Sequence, residues 1–141
     1  MAAQVLWTPT ARGLSLRAHF GANKHASALG THYFALFNGY PLGAGTEAPF
    51  ANGYGRATVT NGAALWGSPA LGDTQVTTQA DIIWPAATAA WTGGPFTWWA
   101  ILSANTGGTI WYVGELAEAA VVTTAGDQPR ILAGGLSIIQ G

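Results

Sequence analysis

The 141-residue chain contains no cysteine, so it has no disulfide framework, no thiolate metal site and no thiol nucleophile. Charge is almost as scarce. Asp, Glu, Lys and Arg together make 8% of the residues, against roughly 25% in an ordinary soluble domain. Five basic residues set against six acidic ones leave no surplus to neutralise phosphates, which argues against a nucleic-acid partner. No uninterrupted apolar run reaches the roughly 18 residues of a spanning helix, so membrane insertion is not expected. The N-terminus MAAQVLWTPTARG lacks the basic-then-apolar order and the small-residue cleavage site of a signal peptide, and none is expected. Catalytic patterns are missing as well. There is no G-x-S-x-G elbow, Walker loop, H-E-x-x-H or calcium-loop pattern, so the expectation is a non-enzymatic chain without cofactor.

What is present is apolar. Hydrophobic residues reach 49%, with 20 glycines and 7 tryptophans. This balance is the reverse of that in disordered chains. It also argues against a monomer with a generous charged surface.

The first 31 residues hold Arg12, Arg17 and Lys24 and no acidic residue. Thr8-Pro9 reads as an N-cap followed by proline at the first helical position, Ala11, Leu14 and Ala18 recur at helical spacing, and Gly21 is a stop. A helix over 9–20 is therefore expected, then an irregular arm. From Tyr33 the pattern becomes β. YFALF at 33–37 has buried-strand length, and 54–60 alternates, with Gly55, Ala57 and Val59 opposite Tyr54, Arg56, Thr58 and Thr60. Residues 75–84 place Val76, Thr78, Ala80, Ile82 and Trp84 on one face. Residues 96–104 and 109–117 read as strand, turn, strand around Asn105 and Gly107-Gly108, and further strands are expected at 119–124 and 130–139. The expected fold is all-β, an antiparallel β-sandwich of jelly-roll type over 32–141, preceded by an N-terminal helix and attachment arm over 1–31.

The candidate residues are few. His19, His25 and His32 are spaced by six and seven, match no ligand motif and read as polar residues on the arm. The carboxylates Glu47, Asp73, Asp81, Glu115, Glu118 and Asp127 are each explained by a solvated edge or a turn contact. Glu115 and Glu118 bracket the expected end of a strand and need not share a face. Trp98 and Trp99, adjacent on a strand, must point to opposite faces. One goes to the core, the other to solvent, a partner or a covering loop. Trp98, Trp99 and Trp111 are the candidate aromatic contacts. Arg12, Arg17 and Lys24 are the candidate attachment charges, and the Gly/Pro-rich loop 38–53 is a further contact candidate.

The order of YFALFNGYPLGAGTE, GYGRATVT, IIWPAATAAW, ANTGGTIWYVGEL and TAGDQPRILAGGLSI over residues 32–140 resembles the small β-rich structural proteins of tailed bacteriophages, the tail-fibre proteins. The tryptophan load and the basic N-terminal segment depart from that family's pattern. The resemblance implies a virion structural protein with no catalytic residue, acting as a tail-fibre-like component or as a capsid decoration (cement) protein. Its implied partners are copies of itself, most simply in a homotrimer, and either the major capsid protein or tail and baseplate proteins. The alternative is a receptor module in which exposed tryptophans stack on host-surface glycans. Within the β region, apolar residues alternate with Thr, Gln, Gly and Ala rather than with Lys and Glu. Edge strands then lack charged protection, which suits strands covered by neighbours in an assembly.

Overall fold

The structure, a computed structural model, describes residues 5–7, 19–24, 28–70 and 73–139. Its strands are β1 (Val5–Trp7), β2 (Thr31–Phe37), β3 (Ala57–Thr60), β4 (Gln75–Thr77), β5 (Ile82–Ile83), β6 (Phe96–Leu102), β7 (Ile110–Ala120), β8 (Arg130–Ile131) and β9 (Ser137–Ile139), with one helical turn, α1 (Ala63–Trp66). Among the described residues no helix is long and apolar enough to cross a membrane. The helix expected over 9–20 lies outside them, apart from its last two residues.

Five strands form one antiparallel sheet in the order β1-β7-β6-β2-β3. Its centre is made by the most apolar, β-branched and aromatic runs of the chain, as expected for strands covered on both faces. The β6–β7 hairpin turns through Gly107 and Gly108, both at positive φ, which a side chain there would oppose. Alternation along β2, β6 and β7 sends Phe34, Leu36, Trp99, Ile101 and Tyr112 to the main core. It sends Ala35, Phe37, Ala100, Leu102 and Val113 to the other face, where Tyr40, Trp98 and Ile110 pack on them. Trp98 and Trp99 therefore do face opposite ways. A register shift between Ile101 and Leu102 leaves Trp111 as the extra residue on β7, a β-bulge.

The layer opposite the main core face is built by 75–84 and 130–139, and neither is one strand. β4 pairs with β9 and β5 with β8 as two separate two-stranded units. The two pairings differ by a single residue in register, so they form one ribbon bent at its middle. The bend has a cause at each side. Gly134 takes a positive φ and its N–H donates to Thr78 O at 2.7 Å, while Gln79 N–H turns away to Leu65 O at 2.7 Å. The face assignment survives the break: Val76, Thr78, Ile82 and Trp84 are buried. No separate strand forms at 119–124, because β7 itself continues to Ala120. Likewise β3 begins at Ala57 rather than at 54, so Tyr54 and Arg56 lie ahead of the strand, and both are buried.

One end of the core is an aromatic–histidine cluster. Phe20 inserts between Trp66 and Tyr112, with ring centroids 4.9 and 5.0 Å away. Trp66 Nε1–H donates to His32 Nε2 at 2.9 Å, and the Tyr112 hydroxyl hydrogen-bonds His19 Nδ1. Asn61, fully buried, holds the incoming chain: its Nδ2 donates to His19 O and Leu29 O, both at 2.7 Å, and its Oδ1 accepts from Gly21 N–H. His19 and His32 are thus core residues, not polar residues on an arm. Long-range contacts bury them, and the local sequence carries no sign of it. His25 lies outside the described residues.

Burial lowers the pKa of His19 to about 4 and that of His32 to about 3, from an ordinary 6.5. Folded, both rings stay neutral where the unfolded chain would bind protons. Stability is therefore expected to be full above about pH 6.5 and to fall with acidification toward pH 4, by about 1.4 kcal/mol per pH unit for each neutral ring. Asp127, whose carboxyl is held below its ordinary value by backbone N–H donors, adds its loss only at lower pH. Melting temperature against pH should slope in this window, and His32→Phe should flatten it. An unchanged slope in that variant would contradict the assignment. A second test concerns packing. Gly114 lies opposite Trp99, and a Cβ there would come 2.5 Å from the indole Cζ2. Gly114→Ala should cost about 1–3 kcal/mol in urea unfolding, and less in a Trp99→Leu background.

Candidate functional site

The loops at the end of the sheet where β6 turns into β7 converge on one guanidinium. Arg56 Nε and Nη2 donate to Glu47 Oε2 and Oε1, both at 2.8 Å, in a two-pronged ion pair whose arginine side chain is 3% exposed. Its Nη1 donates to Ala104 O at 2.7 Å and to Gly107 O at 2.8 Å, inside the β6–β7 turn. Phe50 lies under the guanidinium, 5.5 Å from its ring centroid. Tyr54 completes the set. Its hydroxyl donates to Glu47 Oε2 at 2.8 Å and accepts from Leu36 N–H at 3.2 Å. Burial first, then the Glu47 charge, pushes the Tyr54 hydroxyl pKa up, so it stays a neutral donor.

The other sequence blocks interlock in the same way. Asn52, in the left-handed region at φ 55°, accepts at its carbonyl from Thr88 N–H and from Trp91 Nε1–H, both at 2.9 Å. Its side chain donates to Ala90 O. Asp127 caps the turn before it by accepting from Thr123 and Thr124 N–H, and its backbone carbonyl accepts from Ala87 N–H. Residues that read as turn chemistry one block at a time are therefore mutual contacts. Among the described residues no group of three His, Asp or Glu gathers to hold a metal ion.

The candidate contact residues are dispersed. Arg12 and Arg17 lie outside the described residues, and Lys24 is half-exposed just after Gly21. Trp99 is 1% exposed and belongs to the core. Trp98 is half-buried on the opposite face, edge-on to Tyr40 at 5.2 Å. Trp111 is half-buried at the bulge beside His19 and Tyr112. The three tryptophans thus form no single platform. Loop 38–53 is tied down rather than free. Asn38 N–H donates to Thr46 O, Thr46 N–H to Asn38 Oδ1, and Ala48 N–H to Leu36 O. It still exposes Leu42 and Phe50.

Sequence reasoning missed a groove. Because β7 continues to Ala120, Glu115 and Glu118 both sit on the strand, beside adjoining cavities of about 380 and 340 Å³, but Glu115 is in register with Trp98 and so projects from the sheet face opposite the core face that Trp99 and Leu116 share. Glu118, Leu116, Arg130 and Ile131 line both cavities. The signal was the length of the apolar and small-residue run after Gly114, which the pattern ended too early.

The ion pair predicts its own test. Removing one member of a buried pair strands the other, at a cost of about 3–5 kcal/mol. Arg56→Met should lose that much in urea unfolding, and Glu47→Gln combined with it should recover part. A loss below about 1 kcal/mol for Arg56→Met, the range of exposed pairs, would mean that the pair does not hold these loops together.

No curated protein and no solved structure matches the chain. A family model does, from residue 15, ahead of the buried Phe20, to residue 139 at the end of β9, and so takes in the ion pair, the interlocked turns and the groove. The chain belongs to the family described as Podophage GP4 fiber I protein gp80.

Proposed function

We propose that the chain is a non-enzymatic structural component of a bacteriophage particle, fibre-like, working as a homo-oligomer attached to other virion proteins. Family membership over most of the chain is the observation that carries this reading. The geometry supports it: the residues of the sequence blocks are spent on internal contacts, which makes them a scaffold for a body that presents its surface to partners. We read the body as a reduced β-sandwich, one full sheet against a bent ribbon. Arg12, Arg17 and Lys24 are assigned to attachment. The half-buried Trp98 with Tyr40, and the exposed Leu42 and Phe50, are assigned to apolar contact. A trimer is the simplest closed ring for such a contact. The fibre description favours tail or baseplate proteins as partners over the major capsid protein.

Light scattering of the purified chain should give an oligomer, with the mass of a trimer. Gold-labelled antibody on intact particles should mark the tail. A monomer that fails to bind particles would sink the reading, and label over the head would convert it to capsid decoration. Trp98→Ala and Trp111→Ala separate assembly from sugar recognition on a glycan array. Loss of glycan signal with intact assembly would favour the receptor-module alternative.

A further inference from the structure

We infer that the groove beside the second half of β7 is a self-association site, entered by Arg130 and Ile83 of a second copy of the chain, an inference that rests on the homo-oligomeric reading above. One carboxylate faces this groove without a partner. Leu116 and Ala120 both pack against the main core, and Glu118 stands midway between them on β7, so alternation turns it to the same side. It is exposed and borders both cavities. The other carboxylates nearby are accounted for. Asp127 accepts from Thr123 and Thr124 N–H, and Glu115 projects from the opposite sheet face beside Trp98. Among the described residues, Glu118 has no hydrogen bond or ion pair.

The matching cation lies across the groove. Arg130 borders the same two cavities, yet it makes no ion pair with Glu118. The register of the ribbon explains why. Ile82 pairs with Ile131, and both turn inward to the main core. Arg130 pairs with Ile83, one step along, so these two leave on the ribbon's outer face. Both are exposed there, Ile83 by 44%. The chain thus holds a free carboxylate turned into a groove and a free guanidinium turned outward beside it, and it does not join them within one molecule.

Apolar surface gathers at the same place. Of the five exposed large hydrophobics among the described residues, three belong here: Val121 and Leu132, 60% and 61% exposed, at the rim of the groove, and Ile83 beside Arg130. A carboxylate on an apolar wall suits an arginine, whose stem packs while its head pairs two-pronged. A second copy is favoured over an unrelated partner because the chain itself supplies the complement, one guanidinium with an apolar neighbour for one carboxylate with apolar walls. Groove and insert lie on different faces of the ribbon, so the contact is head-to-tail and repeats until a ring closes.

The test is sedimentation of the full chain over a range of concentrations, with and without added salt. Glu118→Arg and Arg130→Glu should each weaken assembly by roughly tenfold or more, because each sets like charges across the contact, and the two in one chain should restore it. Assembly of the parent should weaken with salt. Far-UV circular dichroism should not change, since both side chains are exposed; if a reversal fails to fold, Glu118→Gln or Arg130→Gln replaces it and should still weaken assembly. If both reversals assemble like the parent, the groove is not the contact and the inference falls while the oligomer stands. If each dissociates but the combination does not recover, Glu118 and Arg130 do not meet and the inference again falls. A parent that is monomeric at every concentration overturns both.

Discussion

Burying an arginine is costly unless every charge and donor is met, and the Arg56 site shows what meeting them entails. Its carboxylate partner is brought in by a loop, and two further acceptors are carbonyls of a different turn. Those carbonyls can aim inward because Gly107 and Gly108 take positive φ. Glu47 is held at the right height by a bridge to Phe37, and Tyr54 fills its second acceptor position. The geometry of loop 38–53, the start of β3 and the β6–β7 turn are therefore one requirement, not three. In a chain with 8% charge, spending one arginine of four and one glutamate of three internally marks how much the fold relies on this point.

β7 connects that requirement to the rest. Near its start Tyr112 meets the Phe20–His19–His32–Trp66 cluster; near its middle Gly114 leaves room for the Trp99 ring; beyond it the strand runs on past the main core as the wall of the groove. The same strand thus passes from a dry end, where histidines are kept neutral, to a wet end where carboxylates stand free.

The hairpin at 96–117 and the opposed Trp98 and Trp99 were legible in the sequence, because period-two alternation and a Gly-Gly turn are local signals. The breaks in 75–84 and 130–139 were not. Alternation reports which face a side chain takes, and it kept that face correctly through the bend while saying nothing of where pairing stops. Arg56 was not singled out at all, because the alternation treated it as one residue of a strand that starts only at Ala57. The histidines failed differently. His19 is buried by Tyr112, 93 positions away, and a window on the arm contains no trace of that partner.

The scarcity of surface charge leaves the sheet edges to be protected by other means. An edge strand without lysine normally invites another strand. Here β3 is four residues long, ends at the buried Asn61 and is followed at once by α1, so it offers only a short run of free backbone groups with Thr58 and Thr60 outward. On the opposite edge β1 spans three residues. At β3, shortness thus does the work that charge does elsewhere. Indiscriminate pairing through long bare edges would compete with any ordered contact between neighbours, and a short edge limits that competition.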